Sequence, residues 1–293
     1  MSTAEMLTVP QAAIDRVPAP PRAWLRLVRS ELGLVFRRRR NLALLVVVAA
    51  VPIMIGTALR LSGSRGGDGG GPPFLAQATD NGVFFSFLAL TVLLTLVLPL
   101  TVGIVSGDSV AGEAGYGTLR YLLTVPAGRT RLLSVKYLVS VVFALCATAV
   151  VTVVAVITGL ALFPVGPVTL LSGTTVSFAE GLLRLLFVTL YVAAAMAALA
   201  AIGLAISTLT EHSIGAIAAT AIIVVASEVI DNVPQFSAVH PYLPTHWWTS
   251  FDSLLRAPIA TGDLLHGLLS FCVYAAIFGA LAWARFTSGD VTC

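Results

Sequence analysis

Between Lys136 and Glu180 the chain carries no charged side chain, and none lies between Asp80 and Asp108. Apolar runs of this length fit a bilayer, because about 20 helical residues rising 1.5 Å each match a ~30 Å hydrocarbon layer. Composition excludes the soluble reading. Of 293 residues, 57% are apolar and 11% charged, with a mean hydropathy of +0.95, whereas soluble domains carry about a quarter charged residues. The chain is too apolar for disorder, and its 3 cysteines are too few for a disulfide scaffold. The expected fold class is all-α, a polytopic membrane protein.

The charges parse the spans. Asn41 to Leu61 is interrupted only by Arg60 at its far end, and the second run covers roughly residues 82–106. Tyr137 to Phe163 makes a third, ended by Pro164, and Arg184 to Glu211 contains a fourth. A short fifth runs from Ser213 to about Val229, and Asp263 to Arg285 encloses a sixth. Six spans are expected, with Pro52 and Pro99 kinking two of them. The expected division is a tail and interfacial helix over 1–40, one transmembrane unit over 41–286, and a tail over 287–293.

Orientation follows the basic residues. With the N-terminus inside, eight arginines up to Arg40 join Arg120, Arg129, Arg131, Lys136 and Arg285 on the cytoplasmic side, thirteen in all. Arg60, Arg65, Arg184 and Arg256 make four outside. Both termini are therefore expected in the cytoplasm, at a plasma membrane. The long Pro-containing, Arg-rich leader is unlike a cleavable signal, so the first span is expected to remain in the mature chain. A net charge of +3 is too small to imply a nucleic-acid partner; beside a span, the Arg37–Arg40 block marks topology instead.

Before the first span, Leu25, Val28, Leu32 and Val35 recur at helical spacing, with Arg26, Arg29, Ser30, Gly33 and Arg37 on the other face. This predicts an amphipathic helix in the headgroup layer, anchored by Trp24. Residues 232–262 are too long for a turn. They are expected to hold short outer helices, re-entrant in the outer leaflet, with Trp248, Phe251 and Leu255 on one face and an Asp252–Arg256 pair. Trp247 and Trp248 are expected as interfacial anchors. Ala193, Ala197, Ala201 and Ala205 form a small-residue ladder that suits either packing within the bundle or a subunit interface.

Rival chemistries are thin. His240 and His246 lack a third ligand nearby, where zinc wants three or four. No protease or phosphatase constellation stands at membrane depth. A proton-coupled carrier wants an ionisable group deep in a span, and Glu228 and Asp231 sit only at the outer end of the fifth. The cysteines (Cys146, Cys272 and Cys293) read as small apolar fillers.

The most informative stretch is 107–136, GDSVAGEAGYGTLRYLLTVPAGRTRLLSVK, longer than a chain reversal needs. Gly112, Gly115 and Gly117 permit tight turns around Glu113, and Leu119, Leu122 and Leu123 give a short helix one apolar edge. On composition alone, a solvated loop whose arginines fix topology is a slightly better reading than a lever docking into a partner. The string Glu113, Gly117-Thr118-Leu119, Leu122-Leu123, Pro126, Arg129 and Lys136 resembles the first cytoplasmic loop of type-2 ATP-binding-cassette (ABC) exporter permeases. The layout of nearly the whole chain resembles that family, and the motif covers about 25 residues.

The resemblance implies a permease subunit whose coupling loop, 107–136, seats on a cytoplasmic ABC ATPase. Gly112, Glu113, Gly117, Thr118, Leu119 and Arg120 would form the coupling element, and a second permease subunit, identical or related, would complete the pathway. Lys136 is the single lysine and follows Val135, so the Walker sequence GxxxxGK[ST] is absent. No cofactor is expected on this chain, and it is not expected to be an enzyme; ATP and Mg would belong to the ATPase. The alternatives are an ion- or proton-coupled efflux carrier and a membrane scaffold or regulatory protein.

Overall fold

The computed structural model describes residues 21–63, 73–115 and 128–288. It is an all-α membrane bundle. Helix α1 (Pro21–Arg37) meets α2 (Arg39–Gly63) at residue 38, the one non-helical position between them. Then follow α3 (Pro73–Asp80), α4 (Gly82–Thr95), α5 (Val97–Gly115), α6 (Arg129–Leu162), α7 (Phe178–Leu209), α8 (Ser213–Asp231) and α9 (Thr261–Ser288). A two-stranded ribbon pairs Val168 with Val176 and Thr169 with Thr175 between α6 and α7. Three 3-10 turns, Pro234–Phe236, His240–Tyr242 and His246–Leu255, join α8 to α9.

Helices α2, α6, α7, α8 and α9 are each long and apolar enough to cross a membrane. The pair α4–α5, bent by 49° at its break, is together long and apolar enough to make a sixth. Pro99 explains the bend. It has no N–H to give the Thr95 carbonyl, and its ring clashes with that carbonyl, so α4 stops at Thr95 and α5 restarts at Val97. Pro52 lies inside α2 without breaking it.

Helix α7 is apolar on every side and is the most buried of the five single-helix spans. Its ladder serves packing within the chain: Ala201 and Ala205 are buried, and Tyr137 Oη donates to the Ala197 carbonyl at 3.2 Å. A Cβ on Gly203 would overlap Ser106 Oγ, so α5 lies directly on α7 there. Gly82 of α4 and Gly159 of α6 meet backbone to backbone. Asn81 fixes that junction. Its Oδ1 accepts from the Val83 and Phe84 amides, while its Nδ2 donates to the Gly166 and Pro167 carbonyls.

At this ribbon-bearing end Arg184 binds Glu180 at 2.7 Å and also donates to the Leu254 and Arg256 carbonyls. The last 3-10 turn is thereby tied to the start of α7. Its apolar face points inward. Trp248 is 2% exposed and packs with Phe251 and Leu255 in the core, which corrects the expectation that Trp248 anchors in the interface. Trp247 is half-buried, donates Nε1–H to the Pro241 carbonyl at 3.0 Å and lies against His246 and His266. Burial raises the Asp252 carboxyl above its usual range, and the Arg256 guanidinium opposes that shift.

Candidate functional site

The second correction concerns 107–136. Residues 107–115 continue α5 and residues 129–136 open α6, so only residues 116–128 connect the two helices. Gly117, Thr118, Leu119 and Arg120 lie outside the described residues. Gly112 and Glu113, expected in a loop, occupy the last turns of a helix. Trp24 is exposed on α1.

Two charge clusters flank this connection. In the first, Lys136 is 3% exposed, with its Nζ 2.5 Å from Glu113 Oε1 and 3.7 Å from Glu31 Oε2. Three elements contribute one residue each: α1 gives Glu31, α5 gives Glu113 and α6 gives Lys136. Glu31 faces inward because it shares the buried side of α1 with Val28, Leu32 and Val35, and Phe36 packs on Phe143 of α6 one turn further. Buried charges persist only when paired, and here each carboxylate is set against the single lysine.

In the second cluster, Asp108 Oδ2 accepts from Arg38 at 2.7 Å and Arg40 at 2.6 Å. Its Oδ1 accepts from the hydroxyl of Ser213, the first residue of α8. Asn41 is buried and donates Nδ2–H to the Val35 carbonyl at 2.9 Å, stapling α2 to α1 across residue 38. Between the clusters lies a cavity of about 30 Å³ lined by Glu31, Arg38, Asp108, Glu113 and Lys136, room for about one water molecule.

The end of α9 reaches the same end of the bundle. Arg129 donates to the Thr287 carbonyl at 3.0 Å, and Trp283 Nε1–H donates to Thr130 Oγ1 at 3.0 Å. The α1–α2 junction, the end of α5, the start of α6, the start of α8 and the end of α9 therefore share one arginine-rich end. At the other end, His246 Nδ1 lies 2.6 Å from Asp231 Oδ1, with His240 alongside. Among the described residues no group of three or more His, Cys, Asp or Glu could hold a metal ion.

Reading the sequence for topology missed Glu31, Asp108 and the pairing roles of Arg38, Arg40 and Lys136. One signal was available. Val28, Glu31, Leu32 and Val35 follow the i, i+3, i+4, i+7 spacing of one helix face, which places an acid on the apolar stripe.

A family model described as ABC-2 family transporter protein matches residues 36–227. The match runs from the last turn of α1 into α8 and includes every member of both clusters except Glu31. Comparison with curated proteins gives no match.

Proposed function

Because the chain belongs to the ABC-2 transporter family, we propose that it is the membrane permease subunit of an ABC exporter, coupled to a separate ATPase. The arrangement of the arginine-rich end carries the reading. With α4–α5 as one crossing, six crossings bring the α1–α2 junction, the end of α5, the start of α6 and the end of α9 to one side of the bundle. Positive charge on that side favours the cytoplasm, where an ATPase would reach residues 116–128. Both termini then lie in the cytoplasm, at the plasma membrane.

Within this reading Gly117, Thr118, Leu119 and Arg120 supply the contact with the ATPase. Glu113 and Gly112 stand behind that contact, because Glu113 is turned to Lys136 and Gly112 is buried. The residues before Asn41 and after Phe286 are cytoplasmic tails. Trp24 and Trp247 anchor in the headgroup layers, and the 3-10 turns of 232–262 seat in the outer leaflet. ATP and Mg are held by the ATPase, and a second permease chain, identical or related, faces this one across the substrate pathway. ATPase closure moves the segment after α5 and shifts the crossings between two states, each with its own contacts.

Labelling tests the orientation. Single cysteines at Ser64, Ser237 and Ser288, in a background without native cysteines, meet an impermeant thiol reagent on intact cells. The first two are expected to label and Ser288→Cys to be protected. Labelling at Ser288→Cys would put the C-terminus outside and make the number of crossings odd. The exporter reading is tested on the purified chain together with its ATPase, reconstituted in vesicles. ATP-dependent movement of solute away from the ATPase side supports it, and movement towards that side contradicts it.

A further inference from the structure

We infer that Asp108 is a positioning residue: its carboxylate, seated in the space left by Gly112, makes the α1–α2 junction and the start of α8 move as one body with the end of α5. Asp108 is 8% exposed and takes three donors from two other elements. Arg38 is the non-helical residue at the junction itself, so the clamp holds the point where α1 and α2 can change angle. Arg40 adds the first turn of α2, and Ser213 adds the first residue of α8.

Gly112 gives this arrangement its shape. A Cβ at that position would lie 2.5 Å from Asp108 Oδ1 and 2.9 Å from its Cγ. One turn separates the two residues on α5, and the carboxylate lies back over the glycine to reach Ser213 while Arg38 and Arg40 approach Oδ2. Any side chain at 112 pushes the carboxylate away from its donors. The glycine expected to permit a tight turn in a loop instead makes room for a carboxylate on a helix. The use of the clamp rests on the permease reading, since the segment following α5 is the one proposed to meet the ATPase. Its existence does not.

The test uses the full chain in lipid nanodiscs, with native cysteines replaced and spin labels on cysteines at the exposed positions Arg37 and Glu211. Electron paramagnetic resonance then gives the distance distribution between the junction and the turn that leads into α8. The expected result is one narrow distribution in the otherwise native chain, at least twofold broader in Gly112→Ala and in Asp108→Asn. The double variant is no broader than either single one, because Gly112→Ala acts through Asp108. Ser213→Ala leaves both arginine pairs in place and is expected to broaden the distribution as well. Unchanged width in Asp108→Asn and Ser213→Ala, or additive broadening in the double variant, would overturn the inference. Adding the ATPase and nucleotide probes the permease reading separately: a clamp intact in the chain alone but unmoved by nucleotide contradicts ATP-driven coupling and leaves the clamp standing.

Discussion

Lys136→Met is expected to be among the most damaging single substitutions in this chain. It removes the cation that Glu113 and Glu31 share at 2.5 and 3.7 Å, in a site where the lysine is 3% exposed. The methionine fills most of the volume, so the loss is electrostatic: two carboxylates remain together where water reaches poorly. Breaking a buried ion pair from one side costs about 3–5 kcal/mol. That is a large share of the 5–15 kcal/mol that holds a typical domain together. Thermal unfolding of the purified chain in detergent reads the effect as a lower midpoint, together with less protein in the membrane. Adding Glu113→Gln removes one of the two carboxylates and is expected to recover part of the loss. Glu113→Lys alone brings a second ammonium against Lys136 and is expected to fail similarly, by unfolding the site before any partner is involved. Lys136→Met at wild-type stability would show that the cluster carries no such weight.

Gly159→Val is expected to separate α4 from α6. A Cβ at Gly159 would overlap the Gly82 carbonyl oxygen, and one at Gly82 would fall 2.5 Å from the Gly159 oxygen. Backbone faces backbone, so no side chain can rotate aside, and the Gly82 amide already donates to the Pro164 carbonyl at 3.0 Å. Overpacking a well-filled site costs about 1–3 kcal/mol, and this geometry belongs at the upper end. Gly279 supplies the control. Nothing lies within 4 Å of a Cβ built there, so Gly279→Ala on α9 is expected to be neutral or slightly stabilising. Equal unfolding midpoints for the two variants would contradict the close helix contact.

The spans were legible because their signal is an absence: charge disappears wherever the chain enters lipid, and no tertiary contact is needed to see it. The helix ends were not, because α6 and α7 run on beyond their apolar runs, to Arg129 and Phe178. Pro99 was read as a kink and is one, since its missing donor acts locally. Residues 107–115 were read as a loop because glycines and acids are loop chemistry in isolation. The helix survives there because Arg38, Arg40 and Lys136, distant in sequence, neutralise Asp108 and Glu113. For the same reason the arginine block was read only as a topology marker. A positive charge near a membrane face is visible in sequence, but the carboxylate it meets across about 70 residues is not. Trp248 shows the complementary limit. The spacing of Trp248, Phe251 and Leu255 gave one face, and only the fold shows that this face turns inward.

As the proposed permease subunit, the chain moves its substrate with energy supplied by a separate ATPase. The most direct measurement is purification of the chain from its native membrane in mild detergent. Nucleotide binding is then measured on the isolated chain and on whatever copurifies with it. The expected result is a stoichiometric partner bearing a Walker sequence, ATP binding confined to that partner, and transport in reconstituted vesicles that stops when its Walker lysine is replaced. Stoichiometric ATP binding by the isolated chain, or saturable transport driven by a proton gradient without ATP, would contradict it.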